Sequence, residues 1–259
     1  MSKAHYIDTH CHLFEKEFED DIDEVIKKIE DVGVEYVLAA NTGCDSLIPL
    51  LDFEKKYPRI CRSMIGIHPD NVDDDYTSQI KFIEDNLAKH DFIGIGEIGL
   101  DYYEATQDHD IQKKFLIQEL LIARESHLPI SMHIRDAFDD ALEVLKKCQN
   151  GNLSGVIHCF SGDVEQAKKC LDLGFSLGIG GIVTFKKSTL PEVLKSVPLE
   201  KIVIETDSPC LAPVPFRGKR NDSSFLPFIV DKIAEIYGCS SEEVAEVTTW
   251  NAKNIFKLK

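Results

Sequence analysis

The sequence predicts an α/β fold, a (β/α)8 TIM barrel forming a single domain over residues 1–259. Three observations predict it. Eight short apolar, β-prone runs recur along the chain, amphipathic helical segments separate them, and residues suited to binding metals cluster at the ends of the runs. The runs are HYIDTH, VEYVLAAN, ICRSMIGIH, DFIGIGEIG, LPISMHIR, SGVIHCFSG, GFSLGIGG and KIVIETDSP. Between them, DDIDEVIKKIEDVG, DHDIQKKFLIQELLIARES and DAFDDALEVLKKCQN carry apolar residues at three- and four-residue spacing with charges opposite. Gly33 and Gly174 read as helix stops before the next strand. Strands alternating with helices imply parallel pairing through right-handed crossovers. An open doubly wound sheet is the competing architecture. Its dinucleotide fingerprint is absent after the first run, and GIGEIG places Glu97 where a phosphate-facing turn would be.

Composition narrows the class. Hydrophobic residues make up 43% and charged residues 29%, enough for a core, and no apolar stretch approaches the length of a membrane span. The eight cysteines are scattered without a CxxC pair, and no basic segment followed by an apolar one opens the chain. A reduced, cytoplasmic protein is expected, with no membrane association and no obligate protein partner. The formal net charge of −16 disfavours a general nucleic-acid binder, so any polyanion must be held by a local basic patch or by bound cations.

In barrel enzymes the chemistry lies at the C-terminal ends of the strands. The first run ends in His10 and His12, which share a face because strand side chains alternate. The later runs supply His68, Glu97, His133, His158 and Asp207, so five of the nine histidines fall at strand ends. Glu97 is the sharpest, a carboxylate inside an apolar run, which must be protonated, paired or bound to metal. Alternation sends Cys11 and Cys159 outward, under the helices, as core fillers. His5, His90 and His109 read as surface residues, and His127 as the end of a helix. His68 is either a substrate contact or a brace for its loop.

These segments resemble the TatD-type metal-dependent deoxyribonucleases of the amidohydrolase superfamily. The matching pieces are IDTHCHL, GIHP, IGEIGLDYY, Gln112-x2-Phe115, LPISMHIRDA, GVIHCFSG, GIGGIVTFKK, ETDSPCLAPVPFRGKRN and TTWNAKNIF, over nearly the whole chain. Asp70 and Cys210 depart from the pattern without touching a metal position. The resemblance implies two divalent ions, Mg2+, Mn2+ or Zn2+. His10, His12 and Asp207 would hold one, His133 and His158 the other, and Glu97 would bridge. Asp207, with Glu97, would be catalytic, Asp207 taking the proton of an attacking water and returning it to the leaving alkoxide.

Arg217, Lys219 and Arg220 form the densest basic cluster, beside Lys186 and Lys187, and read with His68 as substrate contacts. The expected substrate is DNA, as a single strand or chain end, cut exonucleolytically. A metal-dependent ester or amide hydrolase such as a D-aminoacyl-tRNA deacylase is the alternative, and a non-catalytic metal-dependent binding protein a third.

Overall fold

In the computed structural model, residues 5–259 are described; residues 1–4 of the expected domain lie outside that range. Eight strands form one parallel sheet in sequence order. They are β1 (Tyr6–Cys11), β2 (Val34–Ala40), β3 (Cys61–Ile65), β4 (Gly94–Asp101), β5 (Ile130–Arg135), β6 (Gly155–Ile157), β7 (Phe175–Ile179) and β8 (Ile202–Ile204). The ends meet through the Asp207 amide, which donates to the His10 carbonyl (3.0 Å), and the His12 amide, which donates to that of Ser208 (2.8 Å). Asp8 reinforces the seam, accepting from the Thr206 amide (2.9 Å) and the Ser223 hydroxyl (2.6 Å). The barrel and its alternation are as the sequence predicts.

The helices are α1 (Ile22–Val32), α2 (Leu47–Lys56), α3 (Thr77–Leu87), α4 (His109–Ser126) and α5 (Phe138–Cys148). They continue with α6 (Val164–Asp172), α7 (Leu190–Leu194), α8 (Leu226–Tyr237) and α9 (Ser241–Phe256). Their ends follow local chemistry. The Asp108 side chain accepts from the first amides of α4, and Asp163 and Gln166 form a reciprocal capping box on α6. Gly33 stops α1 with φ of 101°, a conformation that favours glycine. Val25, Ile26 and Ile29 then face the barrel from one stripe of α1.

Two side-chain layers result. Residues such as Val37, Ala39, Ile95, Ile98 and Met132 pack outward against the helices. Ile7, Leu38, Met64, Val156 and Val203 fill the inside with Ala252 and Phe256 of α9. Helix α9 closes the N-terminal end of the barrel. Its Asn251 amide donates to the Ile202 carbonyl (2.7 Å), and its Thr249 hydroxyl to that of His5 (2.8 Å), both at strand starts. Among the described residues no helix is long and apolar enough to cross a membrane.

Alternation is interrupted in two strands that matter for the site. The register shifts between Asp8 and Cys11 in β1 and between Ile95 and Ile98 in β4. Ile7 and His10 therefore face inward together, and Ile95 and Ile98 outward together. Without the shifts, the interior packing of β1 would turn His10 and His12 away from the mouth.

Candidate metal centre

Glu97 lies at the middle of the barrel mouth, and its two oxygens face different histidines. Oε2 is 3.3 Å from His10 Nε2 and 3.4 Å from His12 Nε2. Oε1 is 2.8 Å from His158 Nε2, 3.2 Å from His133 Nδ1 and 3.5 Å from His68 Nε2. Asp207 Oδ1 stands 3.6 Å from His12 Nε2 and 4.0 Å from His10 Nε2. Atoms bound to one ion at about 2.0–2.2 Å lie roughly 3–3.5 Å from one another, so this spacing suits a metal centre. Three overlapping donor groups have their ligand atoms within 4.8 Å of one another: His10, His12 and Glu97; His10, His158 and Asp207; and His68, Glu97 and His133. Imidazole mixed with carboxylate favours first-row transition metals over Mg2+.

The far side of most rings is also held. His12 Nδ1 donates to the Ala40 carbonyl (3.0 Å) and His133 Nε2 donates to Asp101 Oδ2 (2.9 Å), leaving the opposite nitrogen of each free to coordinate. His10 Nδ1 meets the Ser131 hydroxyl at 2.7 Å. His158 Nδ1 faces Glu205 Oε1 at 3.7 Å, and Glu205 also accepts the Cys159 amide. Gly178 leaves room for that carboxylate: a Cβ there would stand 2.2 Å from Glu205 Oε2. Gln112, part of the sequence pattern, braces Asp101 by accepting its amide and donating to its carbonyl, both at 3.0 Å. Glu119 accepts the Ile67 amide (2.9 Å) and so steadies the approach to His68.

The electrostatics favour a cation. Burial alone would raise the Glu97 carboxyl, but His68, His158 and His10 hold it well below the usual carboxylate range. Burial opposes a charge on His12, yet Asp207 and Glu97 outweigh it and lift the ring to about 9. His158 is raised in the same way, against its burial, by Glu97 and Glu205. His10 goes the other way, to about 4, through burial and the neighbouring His158. Protons on some rings thus balance the carboxylates, and a metal ion would take over that charge while releasing them.

Every residue expected at the mouth, His10, His12, His68, Glu97, His133, His158 and Asp207, is found there. All but His10, which lies just beneath, line a cleft of about 650 Å³. His68 combines both readings: its Nδ1 accepts the Asp70 amide (3.2 Å), and its Nε2 faces Glu97. The basic cluster divides. Arg217 lines a neighbouring pocket of about 410 Å³ with Lys186, Lys187 and Phe185. Lys219 lies exposed, 5.7 Å from the Phe216 ring centre. Arg220 is a correction to the expected clamp, because Asp21 grips its guanidinium with both oxygens (2.9 and 2.6 Å) and the Phe18 ring lies beneath it. Cys159 is another: its φ of 47° breaks the alternation beyond β6, and it lines the cleft, whereas Cys11 is buried as expected. Asp101 and Glu205 were not singled out in the sequence. Each lies an even number of residues from a singled-out ligand, which was the available signal.

A parallel barrel with imidazoles and carboxylates converging at its C-terminal mouth has the donor set of a metal-dependent barrel enzyme. The chain belongs to the TatD related DNase family, whose model matches residues 7–257. A Bacillus subtilis (strain 168) protein, the uncharacterized metal-dependent hydrolase YabD, is 36% identical over 252 residues, covering 97% of this chain and 98% of its own. A Danio rerio protein, tatdn3, whose name offers it as a candidate deoxyribonuclease, is 32% identical, with 98% of each chain covered. The solved structure of YjjV, a TatD homolog from Escherichia coli K12, superimposes with a TM-score of 0.91 at 24% identity over 99% of both chains, a likeness of fold. The protein is therefore a metal-dependent hydrolase of the TatD family.

Proposed function

We propose that the protein is a deoxyribonuclease that shortens a DNA strand from one end, using two divalent ions. The observation that carries this reading is the division of Glu97, with Oε2 toward His10 and His12 and Oε1 toward His133 and His158. His10, His12 and Asp207 would hold one ion, His133 and His158 the second, with Glu97 shared. When bound, the ions supply polarisation of a phosphoryl oxygen and a water acidified towards about pH 7. Asp207 is one-fifth exposed, so solvent and substrate reach it. Burial works against its charge, but the His12 hydrogen bond and nearby histidines keep it ionised. That suits it to take the proton of the attacking water and then to return it to the leaving alkoxide. His68, at the edge of the group, is suited to contact the substrate.

The surroundings of the cleft support a single strand entering from one direction. Ile182 lines both the cleft and the pocket of Lys186, Lys187, Arg217 and Phe185, so cations and an aromatic face continue from the centre. Ser161 lies on the other side, where a groove of about 830 Å³ is lined by Asp136, Asp139, Asp140, Asp163 and Glu192. No lysine or arginine lines that groove among the described residues, so phosphates are repelled there and a chain end fits the centre best.

The test is hydrolysis by metal-stripped protein reloaded with Mg2+, Mn2+ or Zn2+, with Asp207→Asn as control. End-labelled single-stranded DNA and a D-aminoacyl-tRNA serve as parallel substrates. Stepwise shortening of the DNA, lost in the variant, is expected. Intact DNA with released amino acid would overturn this reading in favour of an ester hydrolase.

A further inference from the structure

Six carboxylate side chains line the metal cleft, namely Glu15, Asp70, Glu97, Asp101, Glu104 and Asp207, against a single arginine or lysine, Arg135, among the described residues. Arg135 ends β5 two residues after His133, on the same strand face. Its guanidinium lies 4.1 Å from the centre of the Tyr103 ring and 2.7 Å from Glu104 Oε2. Tyr103 is 65% exposed, a large aromatic ring held open at the rim of the cleft.

The loop carrying Tyr103 and Glu104 is anchored to the metal centre. Asp101 Oδ1 accepts the amides of Tyr103 and Glu104, both at 2.7 Å, while its Oδ2 accepts from His133 Nε2 at 2.9 Å. One carboxylate therefore sets the position of a metal-facing histidine and of the aromatic rim together.

We infer that Arg135 and Tyr103 form a nucleotide subsite beside the metal centre. The guanidinium fork takes a phosphate next to the bond being cut, and the Tyr103 ring stacks on the attached base. Glu104 stands in for that phosphate in the free protein. Its ion pair with Arg135 is solvent-exposed at both partners, so an incoming phosphate displaces it at little cost. The inference rests on the phosphodiesterase reading and adds the residues that seat the substrate.

The experiment measures binding of a labelled phosphorothioate oligothymidylate, which resists turnover, by fluorescence anisotropy at several salt concentrations. Cleavage kinetics on ordinary DNA run in parallel, and circular dichroism melting checks that each variant folds. Arg135→Ala is expected to weaken binding roughly tenfold or more. It should also lower the slope of log affinity against log salt by about 0.7, the share of one single-strand phosphate. Arg135→Lys restores the slope but not the full affinity, because the planar fork is lost. Tyr103→Ala weakens binding about fivefold or more at unchanged slope. Glu104→Gln moves the opposite way, tightening binding about two- to fivefold. Michaelis constants follow these affinities.

Absence of binding by the natural protein, an unchanged affinity in Arg135→Ala, or weaker binding in Glu104→Gln would each overturn the subsite. Binding that responds as expected to an oligonucleotide whose ordinary form is never cut would leave the subsite standing and remove the nuclease reading. Normal cleavage with no response in any variant would do the reverse.

Discussion

The two ends of the barrel are built from the same strands and have opposite chemistry. At the N-terminal end, Ile7, Leu38, Met64, Val156 and Val203 meet Phe256 of α9 in a sealed apolar plug. At the C-terminal end, the inward positions of β1, β4 and β5 and the segments after β6 and β8 carry His10, Glu97, His133, His158 and Asp207. Val156 and His158 are two residues apart on one strand face, as are Val203 and Glu205. The step from hydrocarbon to ligand takes about 7 Å of chain. The apolar end contributes stability that depends on area removed from water. The polar end gives some of that up by burying carboxylates and imidazoles that only protons or metal ions can balance.

Substitutions at the two ends should therefore separate activity from stability. The largest effect expected is on catalysis. Asp207→Asn lowers kcat by about 10²–10⁴-fold, the range for losing a positioned acid-base group, measured at temperatures where the variant is folded. A variant that retained more than a tenth of the activity would remove Asp207 from that role. At the opposite end, Phe256→Ala costs about 3–5 kcal/mol by opening a cavity in the plug, and the melting temperature falls by roughly 6–20 °C. At temperatures where this variant is folded its kcat stays near that of the natural protein, and a parallel collapse of kcat would erase the distinction between the ends.

Glu205 tests how far the polar end reaches below the candidate ligands. Its carboxylate is fully buried, and its Oε2 has no protein partner. Burial raises its pKa, only partly countered by His158. Glu205→Gln should weaken metal binding about 10–100-fold, through loss of the charge that orients His158, with the metal-free protein no less stable. Unchanged affinity in a metal titration would reduce Glu205 to a space filler.

The proton balance gives a signed prediction. A bound metal requires neutral rings, and in the metal-free protein His12 stays protonated up to about 9. Metal affinity should therefore rise with pH from about 6 to about 9, with protons released on binding. Calorimetry in buffers of different ionisation enthalpy reads both. An affinity independent of pH would mean that His12 is already neutral. The smallest effects distinguish the two arginines of the loop after β8. Arg220→Ala loses about 0.5–1 kcal/mol through its partly exposed pair with Asp21, and leaves the salt dependence of DNA binding alone. Arg217→Ala leaves stability alone and lowers the salt slope by about 0.7.

Most of the barrel is legible in the sequence because strand period and helix period are local signals. Glu97 stands out in FIGIGEIGL because a carboxylate in an apolar run demands a partner. Asp101 and Glu205 obey the same logic, spaced by four and two residues from Glu97 and Asp207, but their role depends on which histidine each meets. Arg220 could not be separated from Arg217 by reading FRGKR, since its partner Asp21 lies 199 positions away. Cys159 departs from the outward position that alternation assigns it, because alternation ends with β6 and a residue at φ of 47° no longer follows it.

The sequence by itself determined the eight strands, their order of use and the kinds of side chain at their ends, because period and composition act over a few residues. Only the tertiary structure decided which carboxylate serves which histidine, which cations remain free for substrate, and that α9 seals the far end. Those outcomes depend on distances between residues far apart in the chain, set when the barrel closes and each buried charge must find its counterpart.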